Sequence, residues 1–272
     1  MIAPFKLTNY NNIYVKLSRE NNLIQYSKSN KKSLYDYNKL VFFDKLIPFE
    51  FENLLTYEKS DSIEMNKIRN YFNLDKMISK DNEITTLVNL NKWAFEYFHY
   101  NGKNINARIY DDLSIFEIIK RSKKDGNSLN CRYISVIFTQ CLLSIGYKSR
   151  LVVCKSSNIN DVDCHCVTEV WVEKYKKWII LDSAFGLIYY GKNGIPLNCF
   201  EIRENLILGE KIMILSKFKD QILLYLIKNT FRFFISLNNN HFLNSSTKKM
   251  IYIHPVGFNI KEKDTGIEIQ NK

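Results

Sequence analysis

Glycine and proline are scarce, at nine and four in 272 residues, and that excludes a collagen-like repeat and any proline-rich linker. Long apolar runs are missing too. Ile222-Leu223-Leu224-Tyr225-Leu226-Ile227 lies between Asp220 and Lys228 and falls far short of the roughly 20 residues that cross a bilayer, so no membrane association is expected. The opening Met1-Ile2-Ala3-Pro4-Phe5-Lys6-Leu7 has no continuous apolar stretch behind a basic region, and no secretory leader is expected from it. No internal repeat occurs, and no helix-turn-helix, zinc-finger or RNP-like pattern is present. The net charge of +11 would suit a polyanion partner, yet the lysines fall in short separate clusters, such as Lys28, Lys31 and Lys32 or Lys174, Lys176 and Lys177. Such clusters read as solvated faces, and no nucleic acid is expected as a partner.

What is present is a globular composition, 46% hydrophobic and 14% aromatic, in a chain long enough to bury a sizeable core. Six cysteines could make three disulfides, but a chain of this length without an export signal is expected to keep them reduced, in the cytoplasm.

Along the chain, the period of the apolar residues changes near Ser62. Before it, Ile13 to Leu17 and Leu23 to Tyr26 read as a hairpin, Lys28 to Lys32 as a polar loop and Leu40 to Phe43 as a further strand. After it, Glu64 to Tyr71 reads as a helix. A longer helix spans Glu83 to Tyr100 with Asn82 as a possible cap, and a short one capped by Asp111 or Asp112 runs through Lys120. Cys131 opens the clearest helix, in which Ile134, Ile137, Phe138, Cys141, Leu142 and Ile145 share one face and Gly146 stands at C′. Strands are expected at Arg150 to Cys154, Cys164 to Val172, Trp178 to Asp182, Phe231 to Leu237 and Met250 to His254, with a helix at about Ser216 to Lys228. The order is that of an α+β fold. Three regions follow: an N-terminal, β-rich extension over 1–61, a core over 62–210, and a C-terminal helix and strands over 211–272 packed on the core.

Within this order lie a cysteine at a helix start, a histidine at a strand start and an aspartate at the end of the next strand. A thiol nucleophile needs a base, and the base needs a group to orient it. The helix start favours the thiolate and offers amides to an oxyanion. The tight connection Glu173 to Lys177 makes the two strands an antiparallel pair, which carries Asp182 to within a residue or two of the His165 end. Each residue has an ordinary alternative: cysteine is common as a small buried residue, and aspartate as a turn residue at a strand end. Cys164 and Cys166 flank His165, but neighbours on a strand point to opposite faces and no second cysteine pair has zinc-site spacing, so no metal is expected. Trp93, Trp171 and Trp178 read as core, with one indole near the thiol as a possible oxyanion donor.

Four stretches together carry a resemblance: Cys131-Arg132-Tyr133-Ile134-Ser135, Gly146-Tyr147-Lys148-Ser149-Arg150, His165-Cys166-Val167-Thr168-Glu169-Val170-Trp171-Val172, and Lys177-Trp178-Ile179-Ile180-Leu181-Asp182-Ser183. They resemble the transglutaminase-like superfamily, whose pattern is a cysteine opening a helix, Gly-x-x-x-Arg, a His-x-x-x-Glu-Val strand and a Trp-x-x-x-Asp strand. Many members have Gly just before the cysteine and Ala where Ser135 stands; here Ser128-Leu129-Asn130 precedes Cys131. The resemblance implies a papain-like core, with N-terminal helices and the nucleophile helix packed on an antiparallel β-sheet. By motif position it implies Cys131 as nucleophile, His165 as base and Asp182 as orienting acid. It further implies acyl transfer or hydrolysis at an amide of a protein or peptide through a thioester, with no cofactor. The alternative is a silent member of the fold that acts as a protein-binding module. An active thiol and an ordinary one separate the two.

Overall fold

A computed structural model describes residues 55–79, 82–102, 113–156, 163–208 and 210–216, Thr230, and six further strands outside those spans. Three strands come first: β1 (Asn11–Val15), β2 (Leu23–Lys28) and β3 (Lys31–Asp36). Helices α1 (Ile63–Tyr71), α2 (Glu83–Tyr97) and α3 (Ile115–Ser122) follow, with the short strands β4 (His99–Tyr100) and β5 (Ser128–Leu129) on either side of α3. Next come α4 (Cys131–Ser144), β6 (Ser149–Lys155), β7 (Cys164–Val172), β8 (Lys177–Leu181), β9 (Ile188–Tyr190), α5 (Cys199–Leu208) and β10 (Ile212–Ser216). The last strands are β11 (Arg232–Ser236), β12 (Met250–Ile253) and β13 (Ile267–Ile269).

Two main sheets result, one ordered β3-β2-β1-β10-β9 and the other β13-β12-β11-β6-β7-β8. All pairings in them are antiparallel except β12 with β13. This is the mixed helix-and-antiparallel-sheet class expected from the sequence. Among the described residues, no helix is long and apolar enough to cross a membrane.

Helix α4 is the centre of the core. Its sequence shows one apolar face, yet every residue except Arg132 is buried. The polar side is covered as well, because short hydroxyls satisfy it against β7. Ser135 Oγ donates to the Cys166 carbonyl at 2.8 Å, and Thr168 Oγ1 donates to the Ser135 carbonyl at 3.1 Å while sharing a 3.0 Å bond with Thr139 Oγ1. Ser149 Oγ reaches the Thr139 carbonyl at 2.9 Å. The helix ends in a Schellman motif: the Gly146 amide donates to Leu143 and the Tyr147 amide to Leu142, with Gly146 at φ +91°.

On the other face of the sheet, Arg150 of β6 stands directly opposite Glu169 of β7. Both are buried, with Arg150 Nη2 and Nε 2.7 and 2.9 Å from Glu169 Oε2. Glu169 Oε1 accepts the Cys199 amide at 2.8 Å, and the guanidinium lies 4.0 Å over the Trp178 ring. One ion pair therefore ties β6, β7, β8 and the start of α5 together.

Several elements differ from expectation. The cap of α3 is Ser114, in a capping box with Glu117, not Asp111 or Asp112. The long helix ends at Tyr97, and His99–Tyr100 leaves it to pair with Ser128–Leu129. Lys31 and Lys32 belong to β3, paired to β2, rather than to a loop. Ser216 ends β10, while the rest of the helix expected at 216–228 and the strand expected at 40–43 lie outside the described residues. Helix α5 was not anticipated, since its apolar spacing is irregular and Arg203 takes an inward position. Its start was nonetheless written: Asn198 Oδ1 accepts the Glu201 amide and Glu201 Oε2 accepts the Asn198 amide, a reciprocal cap.

Removing one member of a buried ion pair strands the other without water. Glu169→Gln or Arg150→Met alone should therefore cost about 3–5 kcal/mol, while the double change Arg150→Met with Glu169→Leu should cost less than either single one. Urea unfolding of the three variants measures this, and a double variant as unstable as the sum of the singles contradicts it.

Candidate active site

Three elements converge where α4 and β7 both begin. Asn130 starts the helix by accepting the Tyr133 amide on Oδ1 at 3.1 Å, which puts Cys131 at the first helical position. The lead-in is fixed by β4 pairing with β5 and by the Asn101 amide donating to the Leu129 carbonyl at 2.8 Å. The Cys131 thiol, buried, lies 3.9 Å from the Cys164 carbonyl at the start of β7.

The register of β7 with β8 pairs Thr168 with Leu181, so Asp182 continues opposite Val167. Val167 and His165 share one face of the strand, which makes Asp182 and His165 diagonal neighbours within side-chain reach. Their side chains meet: His165 Nε2 is 2.8 Å from Asp182 Oδ2, both groups fully buried. The other carboxylate oxygen, Oδ1, accepts the Phe185 amide at 3.2 Å. Asp182 and Leu187 exchange backbone bonds of 3.1 and 3.0 Å, closing a tight turn whose Phe185 ring lies flat on the imidazole. The ring centroids of Phe185 and His165 are 4.7 Å apart at 17°, and Tyr100 meets Phe185 edge-on at 4.6 Å and 70°.

The electrostatics follow from these contacts. Burial is the largest single effect on His165 and works against its charge. The Asp182 carboxylate, its hydrogen bond and the Cys131 thiol together outweigh that, and the imidazole is held well above its ordinary value. Cys131 moves the opposite way. Hydrogen bonding from the Cys166 thiol, with that from His165, draws it well below the usual thiol range against the upward push of burial. Cys164 is lowered too, first by hydrogen bonding from Cys166, and Cys166, the donor, is raised well above. Cys166 carries a single S–H, so it serves one of the two neighbours at a time. A thiol pulled down beside an imidazole pulled up is the arrangement of a thiolate–imidazolium pair.

The structure thus brings Cys131, His165 and Asp182 to one place. Cys164 and Cys166 share the face of β7 that meets α4, and His165 takes the other. None of the indoles is the thiol's neighbour in this arrangement: Trp171 Nε1 donates to Glu173 at 2.8 Å, Trp178 lies under Arg150, and Trp93 packs with Phe72. The aromatic residues at the site are Phe185 and Tyr100. Neither stood out in the sequence, although an acid at a strand end followed by an aromatic residue and Gly186 was the available signal.

Residues 73–183 match the model of the transglutaminase-like superfamily. Over those residues the chain is similar to that superfamily, and its own architecture is a mixed helix-and-antiparallel-sheet, α+β arrangement. Among solved structures, a candidate cysteine protease from Cytophaga hutchinsonii aligns at 14% identity with a TM-score of 0.36, over 64% of this chain and 58% of that one. A TGase aligns at 12% identity with a TM-score of 0.33, over 64% and 51%. The matched part therefore spans little more than half of either solved chain. No curated protein matches the chain.

The lowered thiol gives a pH test with a definite sign. A thiol held low is ionised at pH 6–7, where an ordinary one is not, and the advantage disappears above about pH 9, where both are ionised. Iodoacetamide should therefore alkylate Cys131 at near-neutral pH at close to its alkaline rate. In Asp182→Asn the rate at pH 7 should fall about tenfold or more, because the imidazolium loses its counter-charge while burial remains. Peptide mass spectrometry at Cys131 reads both, and an Asp182→Asn profile identical to the wild type refutes the coupling.

Proposed function

We propose that this chain is a cysteine-dependent acyltransferase or hydrolase acting at amide bonds of a protein or peptide. The observation that carries the reading is the buried 2.8 Å His165–Asp182 bond standing beside a helix-start thiol. In this reading the Cys131 thiolate attacks the amide carbonyl, and amides of the first turn of α4 stabilise the oxyanion. His165, protonated in the resting pair, gives its proton to the departing amine, which leaves a thioester on Cys131. His165, now neutral, then takes a proton from the incoming water or amine, which attacks the thioester and expels the Cys131 thiolate, restoring the thiolate–imidazolium pair. Asp182 keeps the imidazole in one orientation and stabilises it when charged. No step calls for a metal or cofactor. The reading carries with it a reducing, cytoplasmic setting, because the nucleophile works as a reduced thiol.

The superfamily match supports cysteine chemistry at the class level. The acceptor, water or amine, is what experiment has to separate. With a glutamine-containing peptide and a labelled primary amine, we expect either transfer of the label or release of ammonia without transfer. Both should depend on Cys131, falling by about 10³-fold or more in Cys131→Ala. Turnover undiminished in that variant, or a wild-type thiol with ordinary alkylation and no turnover, would sink the reading.

A further inference from the structure

Phe185 touches both members of the His165–Asp182 pair, and it does so with two different groups. Its backbone amide donates to Asp182 Oδ1, the carboxylate oxygen that His165 does not use. Its ring lies parallel to the imidazole at 4.7 Å and 17°, well inside the distance at which a π face attracts a cation. We propose that Phe185 is a positioning residue for the His165–Asp182 pair, its amide fixing the carboxylate and its ring face favouring the imidazolium over the neutral imidazole. This rests on the acyl-transfer reading, in which His165 is charged in the resting enzyme.

The surroundings of Phe185 are built to hold it in that pose. The turn that carries it is pinned by the two backbone bonds between Asp182 and Leu187, and by Asn91 Nδ2 donating to the Leu187 carbonyl at 3.3 Å from helix α2. Gly186 has φ +66°, and a Cβ there would come within 3.0 Å of the Phe95 ring. A larger residue at 186 would thus strain the backbone and push on α2, moving Phe185 off the imidazole. Tyr100, on β4, which pairs with the strand β5 leading into α4, sets its ring at 70° to Phe185 at 4.6 Å. Phe185 and His165 are both buried, and in such a setting a charge–quadrupole contact is worth more than in water. Packing alone asks only that a bulky apolar group fill the space. The parallel ring geometry, combined with the amide bond to the partner carboxylate, points to the charged state of the histidine.

The test compares pH profiles of Cys131 alkylation by iodoacetamide, read by peptide mass spectrometry so that the other cysteines do not interfere. Phe185→Leu removes the π face, Phe185→Tyr keeps it, and Phe185→Met takes the place of the leucine variant if that one does not fold. We expect the leucine or methionine variant to be alkylated about threefold or more slowly than wild type at pH 6–7 and equally fast above about pH 9, with the tyrosine variant close to wild type throughout. A leucine or methionine profile that superposes on the wild type overturns the role of Phe185 and leaves the acyl-transfer reading standing. A loss of equal size at every pH also overturns it, since that marks damaged packing rather than a lost charge interaction. A wild-type thiol that reacts only in alkali removes both this inference and the reading beneath it.

Discussion

The site depends on a charge pair that has no access to water. Arg150 and Glu169 are paired across β6 and β7 in the interior, and a lone charge at that depth would be severely destabilising. Glu169 meets the cost by using both oxygens, one on the guanidinium and one on the Cys199 amide. The pair also fixes the register. A strand slipped by one residue turns every side chain to the other face, and Glu169 would then face the interior around α4 with no cation beside it. His165, four residues earlier on the same face, is locked by the same constraint. Which way the imidazole points is therefore decided four residues along the strand, by the ion pair of Glu169.

Strand β7 divides its labour between its two faces. Cys164, Cys166 and Thr168 meet α4, while His165 and Val167 look toward α5 and β9 and Glu169 toward Arg150 and the start of α5. The thiol and the imidazole thus come from opposite sides of the sheet and can meet only at its rim, where α4 and β7 both start. That is why two further thiols sit close to Cys131. They belong to the face that receives the helix: the Cys166 thiol hydrogen-bonds to Cys131, and the Cys164 thiol to Cys166.

Much of this was legible in the chain itself, and the parts that were not share a physical cause. The β7–β8 turn is tight, so antiparallel pairing and the approach of Asp182 to His165 followed from length alone. Gly146 announced the end of α4, and Asn82 the start of α2. The polar side of α4 misled, because Ser135 and Thr139 look like a solvent face until a strand with matching groups is set against them. Helix α5 was hidden by the inward Arg203 and an irregular apolar spacing, although the Asn198–Glu201 cap was written in plain sequence. Phe185 and Tyr100 did not stand out, since a turn and a two-residue strand have no periodicity to mark an aromatic side chain, and the acid and aromatic residue before Gly186 were the one local signal. Their position depends on how distant segments close around the site.

The hydroxyl seam between α4 and β7 has a mechanical meaning. Ser135, Thr139 and Thr168 act as a key in a keyway: rotation of the helix by one residue, or a slide by one step, would break every bond in the seam at once. The depth and heading of the side chain at position 131 are set by the first three turns behind it, not by the side chain itself. The helix is in effect a tool holder, and a different head of similar size at position 131, a hydroxyl or a selenol, would be presented at the same point without repacking the shaft.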